Sequence, residues 1–305
     1  MAKYFLQRIF IALLTIFILV VATFFLVKLL PGDPFLDPKL PDETRQNMIE
    51  YYGLDKPVYI QFFQYLGNLV QGDLGYSLTY KNQTVNQVIA NAFPKSMELG
   101  LIALVISLII GLILGIISAL QHNKALDYIS MLIAIIGISV PSFIIGALFQ
   151  YVFAVRLQWF PVAQWLGFEY TILPACALAL GSVALIARLM RTSMLDIVSL
   201  DYVKTADAKG LSQAQITMRH QIRNALLPVL TVLGPLVARL VTGTFVIEQI
   251  FAIPGLGRHY VQSMQTLDYT MIMGLTIFFG AFLVVMNLLV DLSYGLVDPR
   301  IRARK

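Results

Sequence analysis

Charge is what this sequence has least of. Only 13% of its 305 residues are Asp, Glu, Lys or Arg, about half of the roughly 25% typical of a soluble domain. A soluble enzyme and a disordered chain both need more polar surface than this. Cysteine is scarcer still. Cys176 is alone, so no internal disulfide can staple the fold. The histidines, His122, His220 and His259, lie far apart with no metal-ligand spacing, so no metal centre is expected. There is no HExxH and no GxxxxGK[ST] to cradle a nucleotide phosphate. No Lys/Arg stripe alternates with aromatics, which argues against nucleic acid, and no internal repeat is visible.

What the chain has instead is apolar length. Hydrophobic residues make up 58% of it, the mean hydropathy is +0.77, and the excess sits in long runs. A helix needs about 20 mainly apolar residues to cross the hydrocarbon core, and six segments qualify: 10–30, 99–120, 128–153, 172–189, 226–247 and 271–294. The expected class is an all-α membrane protein of six transmembrane helices. Lys3 and Arg8 give the first segment the look of a secretory leader, yet it is too long. It runs into Leu30-Pro31-Gly32-Asp33-Pro34, with no small-residue cleavage site, so a retained span is expected.

Orientation follows from Lys and Arg. With the N-terminus cytoplasmic, the inside segments hold 13 of them, against only Arg156 and Arg258 in the short outside loops. Both termini are therefore expected inside. Lys28, at the outer end of the first span, can snorkel outward. The chain divides into an N-terminus and first span (1–30), an extracytoplasmic cap (31–98), a five-helix core (99–294) and a cytoplasmic tail (295–305). The cap carries eight acids against five bases. It has a helix signal at Asp42 before 43–52 and turn signals at Gly53, Pro57, Gly72 and Gly75.

Inside the core, the polar segment 190–225 separates spans four and five. Asp201 reads as an N-cap, Gly210 as the C′ residue and Lys209 as a last-turn cation, which bounds a helix over 202–209. Eight residues alone are marginal in water, so this helix needs a partner surface. Ser212-Gln213-Ala214-Gln215 then opens a second helix with a capping box. That helix should carry Ala214, Met218, Ile222 and Leu226 on one face, with Arg219 and Arg223 on another. The pattern fits an ordinary amphipathic hairpin or a docking element for a cytoplasmic motor.

The segment Tyr202-Val203-Lys204-Thr205-Ala206-Asp207-Ala208-Lys209-Gly210-Leu211, followed by Arg223-Asn224-Ala225-Leu226-Leu227-Pro228, resembles the EAA loop of bacterial ABC importer permeases. It is most similar to the oligopeptide/dipeptide/nickel subfamily. Four further segments resemble the same subfamily in order. They are Leu29 to Pro34, which marks the B-type subunit; Tyr65-Leu66-Gly67-Asn68-Leu69 with Gly72-Asp73-Leu74-Gly75; Ile253 to Arg258; and Asp291 to Arg300. The loop's namesake glutamate is missing here, and the separation from Gly210 to Pro228 is longer than in the general importer pattern.

The resemblance implies the ABC importer permease fold and a non-catalytic subunit forming half of a transmembrane pathway. It implies a homologous second permease, two ATP-binding subunits that carry ATP and Mg, and an extracytoplasmic peptide-binding protein. This chain itself would hold no cofactor and would sit among membrane lipid in a bacterial plasma membrane. Oligopeptides are the first substrate implied, with dipeptides, nickel or another small solute as alternatives. The ATPase-coupling residues would be Tyr202, Thr205, Ala206, Asp207, Ala208, Lys209, Gly210 and Leu211.

Two other readings fail on the residues. An intramembrane enzyme needs a Ser/His, Asp/Asp or HExxH pair within its spans, and a secondary transporter needs paired inverted halves or more internal polar groups. Pro141, Pro228 and Pro235 should interrupt backbone bonding in or near spans, chiefly as packing kinks. Arg239 matches no motif. A charge inside a span is costly, so Arg239 should snorkel outward, meet a carboxylate of the second permease, or line the pathway.

Overall fold

The computed structural model describes residues 2–29, 55–80, 83–242 and 245–297, with the isolated positions 46 and 49. The segment Leu30 to Pro34, the expected helix over 43–52 apart from positions 46 and 49, and the tail beyond 297 lie outside the described residues. In chain order the helices are α1 (Ala2–Lys28), α2 (Val58–Val70), α3 (Val85–Leu120), α4 (Ala125–Ser139), α5 (Ser142–Phe149), a π-helix (Gln150–Arg156) and α6 (Glu169–Val198). There follow α7 (Asp201–Ala208), α8 (Gln213–Ile216), a second π-helix (Thr217–Gln221), α9 (Ile222–Thr242), α10 (Phe245–Ile250), α11 (Leu256–Gln265) and α12 (Tyr269–Val297). Among the described residues, five helical stretches are long and apolar enough to cross a membrane, and six if one bent pair counts as a span.

Within the span expected over 128–153, the interruption expected at Pro141 is a sharp bend. Helices α4 and α5 meet at 103°. The cause is local: Val140, preceding a proline, is held extended at φ −96°, ψ 122°, and Pro141 caps the next helix without an N–H to continue the ladder. Pro228 and Pro235, in contrast, sit inside the uninterrupted α9. A correction concerns α3, which starts at Val85 rather than 99 and carries Pro94 inside it. Thr84 and Gln87 supply the missed start signal. The Gln87 amide donates to Thr84 Oγ1 (3.2 Å) while the Thr84 amide donates to Gln87 Oε1 (3.0 Å), a reciprocal capping box.

The chain forms two compact units, residues 1–94 with 255–305, and residues 95–254. In the first, α1 packs on α12, tied by an Arg8–Asp291 ion pair of 3.1 Å. Phe24 of α1 meets Phe62 of α2 edge to face at 5.3 Å, and Lys28 donates to Gln61 rather than standing alone. Asp268 gathers the turn before α3. Its carboxylate accepts from Ser77 Oγ and from the amides of Leu78 and Thr79, and also from the Met271 amide in the first turn of α12. Nearby, burial and the Asp268 carboxylate push the Tyr80 phenol up, with Arg258 opposing.

In the second unit α6 is the central post. Its small residues, Ala175, Ala177, Ala179, Ala184 and Ala187, are fully buried and let neighbours approach closely. Gly111 and Gly115 of α3 form the contact. A Cβ on Gly115 would lie 2.7 Å from the Ala187 carbonyl oxygen and 2.7 Å from Met190 Cβ, and one on Gly111 2.8 Å from Ile186 Cβ. This is the small-xxx-small packing that membrane helices use in place of a hydrophobic drive. On the outer face of α3, Leu101, Val105, Ile109 and Ile113 recur every four residues, fully apolar and exposed. Only lipid or a partner helix suits that stripe.

Candidate coupling and pathway site

The short helix α7 is displaced by one residue from its expected bounds. Leu200 is the N-cap, extended at φ −75°, ψ 146° and without a side-chain bond, and Lys209 is the C-cap. Asp201 is therefore the first helical residue. It acts on the helix through its charge near the positive dipole end, not as a hydrogen-bonding cap.

At the other end Gly210 is the C′ residue as expected, while Lys209 is the cap and not a cation of the last turn. Gly210 takes φ +75°. Its amide donates to the Asp207 carbonyl (2.8 Å), and the Leu211 amide reaches back to the Ala206 carbonyl (3.3 Å). These two bonds are a Schellman motif, which satisfies carbonyls that the helix end would orphan.

Burial sorts the eight candidate residues. Val203 and Ala206, three apart, are buried and seat α7 on the core. Ala206 is thus an anchor and not part of the outer face. Tyr202, Thr205, Asp207, Ala208, Lys209 and Gly210 are exposed, and Leu211 packs partly on the core. The face is short, polar and rigidly held. Gln213 Nε2 donates to Asp207 Oδ1 (3.2 Å), and Asn224 Nδ2 donates to the Tyr202 hydroxyl (3.1 Å).

After Gly210 the Ser212–Gln215 capping box is present in both directions. The helix it starts does not keep the expected single face. Ile216, Gln221, Ala225 and Val229 are the buried positions, with a step of five at the π-helix and of four thereafter. Ala214 and Met218 are turned outward for that reason, Met218 being 67% exposed. From Gln213 to Thr242 the chain is one continuous helix, so 190–225 is less a loop than the ends of two long helices with α7 between them.

A polar clasp that sequence reasoning missed lies ten residues before α7. Asp127, its side chain 3% exposed, accepts two bonds from Arg191 at 2.8 Å each. It also accepts from Ser118 Oγ and from the Asn123 amide. His122 Nδ1 lies 3.3 Å from the same carboxylate and 3.1 Å from Arg191 Nη2. The clasp locks the α3–α4 turn to the end of α6. Asn123 at φ 61° shapes that turn, and the only sequence signal was an acid in the first turn of α4.

Arg239 is exposed and donates to Ser182 Oγ on α6 at 3.2 Å. One corner of the guanidinium is thereby anchored on the central post. The structure adds a buried acid to this site: Glu248 of α10 is fully buried and accepts from Ser96 Oγ at 2.7 Å. Among the described residues, no group of three or more His, Cys, Asp or Glu side chains is placed to hold a metal ion.

Two family descriptions cover the chain. Residues 111–303 match "Binding-protein-dependent transport system inner membrane component", and residues 1–100 match the N-terminal membrane component of the same systems. The chain belongs to this family. It is a permease subunit of an ABC importer and a multi-pass membrane protein. The permease is 46% identical to the dipeptide transport system permease protein DppB of Bacillus subtilis, over 100% of this chain and 99% of the relative. It is 41% identical to the oligopeptide transport system permease protein OppB of Haemophilus influenzae, over 99% and 100%. Two solved structures share the fold. An amino acid ABC transporter with histidines has a TM-score of 0.51 and 17% identity, over 70% of this chain and 94% of that one. The inward-facing MetNI methionine ABC transporter has a TM-score of 0.53 and 16% identity, over 71% and 97%. Such a permease works within a transport system of several subunits.

Proposed function

We propose that this permease forms half of the translocation pathway of a bacterial ATP-driven peptide importer, with oligopeptides as its main substrates. A homologous second permease completes the pathway. Two ATP-binding subunits carrying ATP and Mg drive it from the cytoplasm, and an extracytoplasmic peptide-binding protein delivers the substrate. The chain lies in the plasma membrane with both termini inside, the orientation its Lys and Arg asymmetry favours. The observation that carries this reading is full-length similarity to relatives named for oligopeptide and dipeptide transport.

Helix α7 and its Schellman end are the contact with an ATP-binding subunit. Their outward residues, Thr205, Asp207, Ala208, Lys209 and Gly210, enter the partner, while Val203 and Ala206 carry the motion into α6 and α9. Arg239 is a candidate pathway or interface residue. Its exposed guanidinium can meet a peptide's terminal carboxylate or an acid of the second permease.

Dipeptides are a second reading, favoured by the higher identity to the dipeptide permease, 46% against 41%. Uptake of labelled peptides in a graded length series separates the two. Preference for dipeptides alone would replace the oligopeptide reading, and transport of no peptide would remove both. Single cysteines at Thr205, Asp207 and Lys209 should crosslink to an ATP-binding subunit. Crosslinks to the extracytoplasmic binding protein instead would invert the orientation.

A further inference from the structure

Beside the π-helix Thr217–Gln221 lies an open cavity of about 870 Å³, walled by Met218, Arg219, His220, Arg223 and Asn224. Among the described residues, neither Arg219 nor Arg223 has a hydrogen-bond or ion-pair partner. Two unpaired cations four residues apart repel one another, and a groove between them favours an anion.

The depth of the groove limits the source of that anion. The apolar run of α9 opens at Ala225-Leu226-Leu227. At about 1.5 Å per residue, Arg223 stands about 4 Å and Arg219 about 10 Å before Leu226. A bilayer of about 40–45 Å around a hydrocarbon core of about 30 Å has its headgroups at that depth. Further along the same face, Leu227 and Leu230 are 54% and 45% exposed, one and two turns beyond Arg223. Two cations followed by two outward leucines match one amphiphile, with its phosphate at the arginines and its chain along α9.

We propose that this groove binds the phosphate of an anionic phospholipid, with Arg219 and Arg223 as its two donors. Guanidinium forks suit phosphate oxygens, and an anionic headgroup gains from basic residues at the membrane surface where a zwitterionic one gains less. The bond from Asn224 to Tyr202 ties the site to α7, so the bound lipid braces the root of the short helix.

The test is lipid retention by the full-length protein, purified with the subunits that accompany it. The protein is exchanged into phosphatidylcholine nanodiscs containing a tenth of phosphatidylglycerol, re-extracted, and its tightly held lipid measured by mass spectrometry. Wild type should retain phosphatidylglycerol enriched over the bulk, falling with added salt. Each Arg→Gln change at 219 or 223 should reduce the enrichment by about fivefold, and Lys204→Gln should not. Arg219→Lys with Arg223→Lys, which keeps the charge should the Gln forms not fold, should retain part of it. No enrichment in wild type, equal enrichment in the double Gln variant, or release by inorganic phosphate alone would each overturn the proposal. The first would leave the groove to an acidic protein surface.

Discussion

Replacing Gly210 separates conformational strain from crowding, because the structure removes crowding from the comparison. A Cβ built on Gly210 meets nothing within 4 Å, yet the residue sits at φ +75°. Within this chain any cost of a side chain is therefore backbone strain alone, and crowding can come only from the ATP-binding subunit that Gly210 is proposed to meet. A left-handed conformation costs an ordinary L-residue roughly 1–2 kcal/mol, and a β-branched residue lies at or beyond the top of that range. Against this, replacing glycine stiffens the unfolded chain by about 0.4–1 kcal/mol in the variant's favour. Ala should then lose about 0.5–1 kcal/mol net and Val about 2, a factor of roughly 30 in the population of the intact Schellman end. Asn, which tolerates this region, should lie close to glycine. The assay is uptake of a labelled peptide normalised to membrane-inserted protein, with the expected order Gly, Asn, Ala, Val. Uptake in Gly210→Val equal to wild type would refute the reasoning. An Asn variant as poor as Val would also refute it, since the loss would then follow side-chain bulk.

Breaking the clasp should cost far more than breaking a surface pair, because Asp127 is 3% and Arg191 23% exposed. Arg191→Ala should destabilise the protein by about 3–5 kcal/mol in a thermal-melt series, and a melt unchanged from wild type would place the pair outside the stabilising contacts. Gly115→Ala forces a methyl onto the backbone of α6 and should cost about 1–3 kcal/mol, read as lost folded protein in membranes. Gly67→Ala, which meets open space, is its control, and equal yields would deny the close approach. Arg239→Gln should cut transport at unchanged protein level with Arg239→Lys intermediate. Full uptake in both would leave the residue no role beyond reaching for the interface.

The spans were legible because hydrophobic length is a local, additive signal. The same holds for the Gly210 and Ser212 caps, where one residue type answers one backbone need. Boundaries set by reciprocal bonds were harder. The Thr84–Gln87 box moved the start of α3 by fourteen residues, and hydropathy is blind to it. The bend at Pro141 was foreseeable as an interruption but not as 103°, since Pro228 and Pro235 carry the same chemistry inside a helix that continues. What distinguishes them is tertiary support, which no single position encodes. The Asp127–Arg191 clasp joins residues 64 apart, and nothing in either neighbourhood announces the other. In the candidate site, the eight proposed coupling residues lie on and just beyond one short helix. Burial divides them, because Ala206 lies three residues from Val203 and shares its buried face, a division the motif alone does not carry.

The π-helix at Thr217–Gln221 acts as a phase shifter. One residue of α-helix turns the chain by about 100°, so the single extra residue there sets the stretch before it out of step with α9 by that amount. Buried Ile216 and buried Gln221, five apart, record the offset. Chain length within these five positions is therefore information in itself, independent of which side chains occupy them. Losing one residue would close the turn to ordinary helix and swing Gln213 to Ile216, with α7 behind them, about a quarter turn around the axis. Every contact residue would be intact and aimed elsewhere. Along this stretch, the family should tolerate substitution far more readily than a change of count.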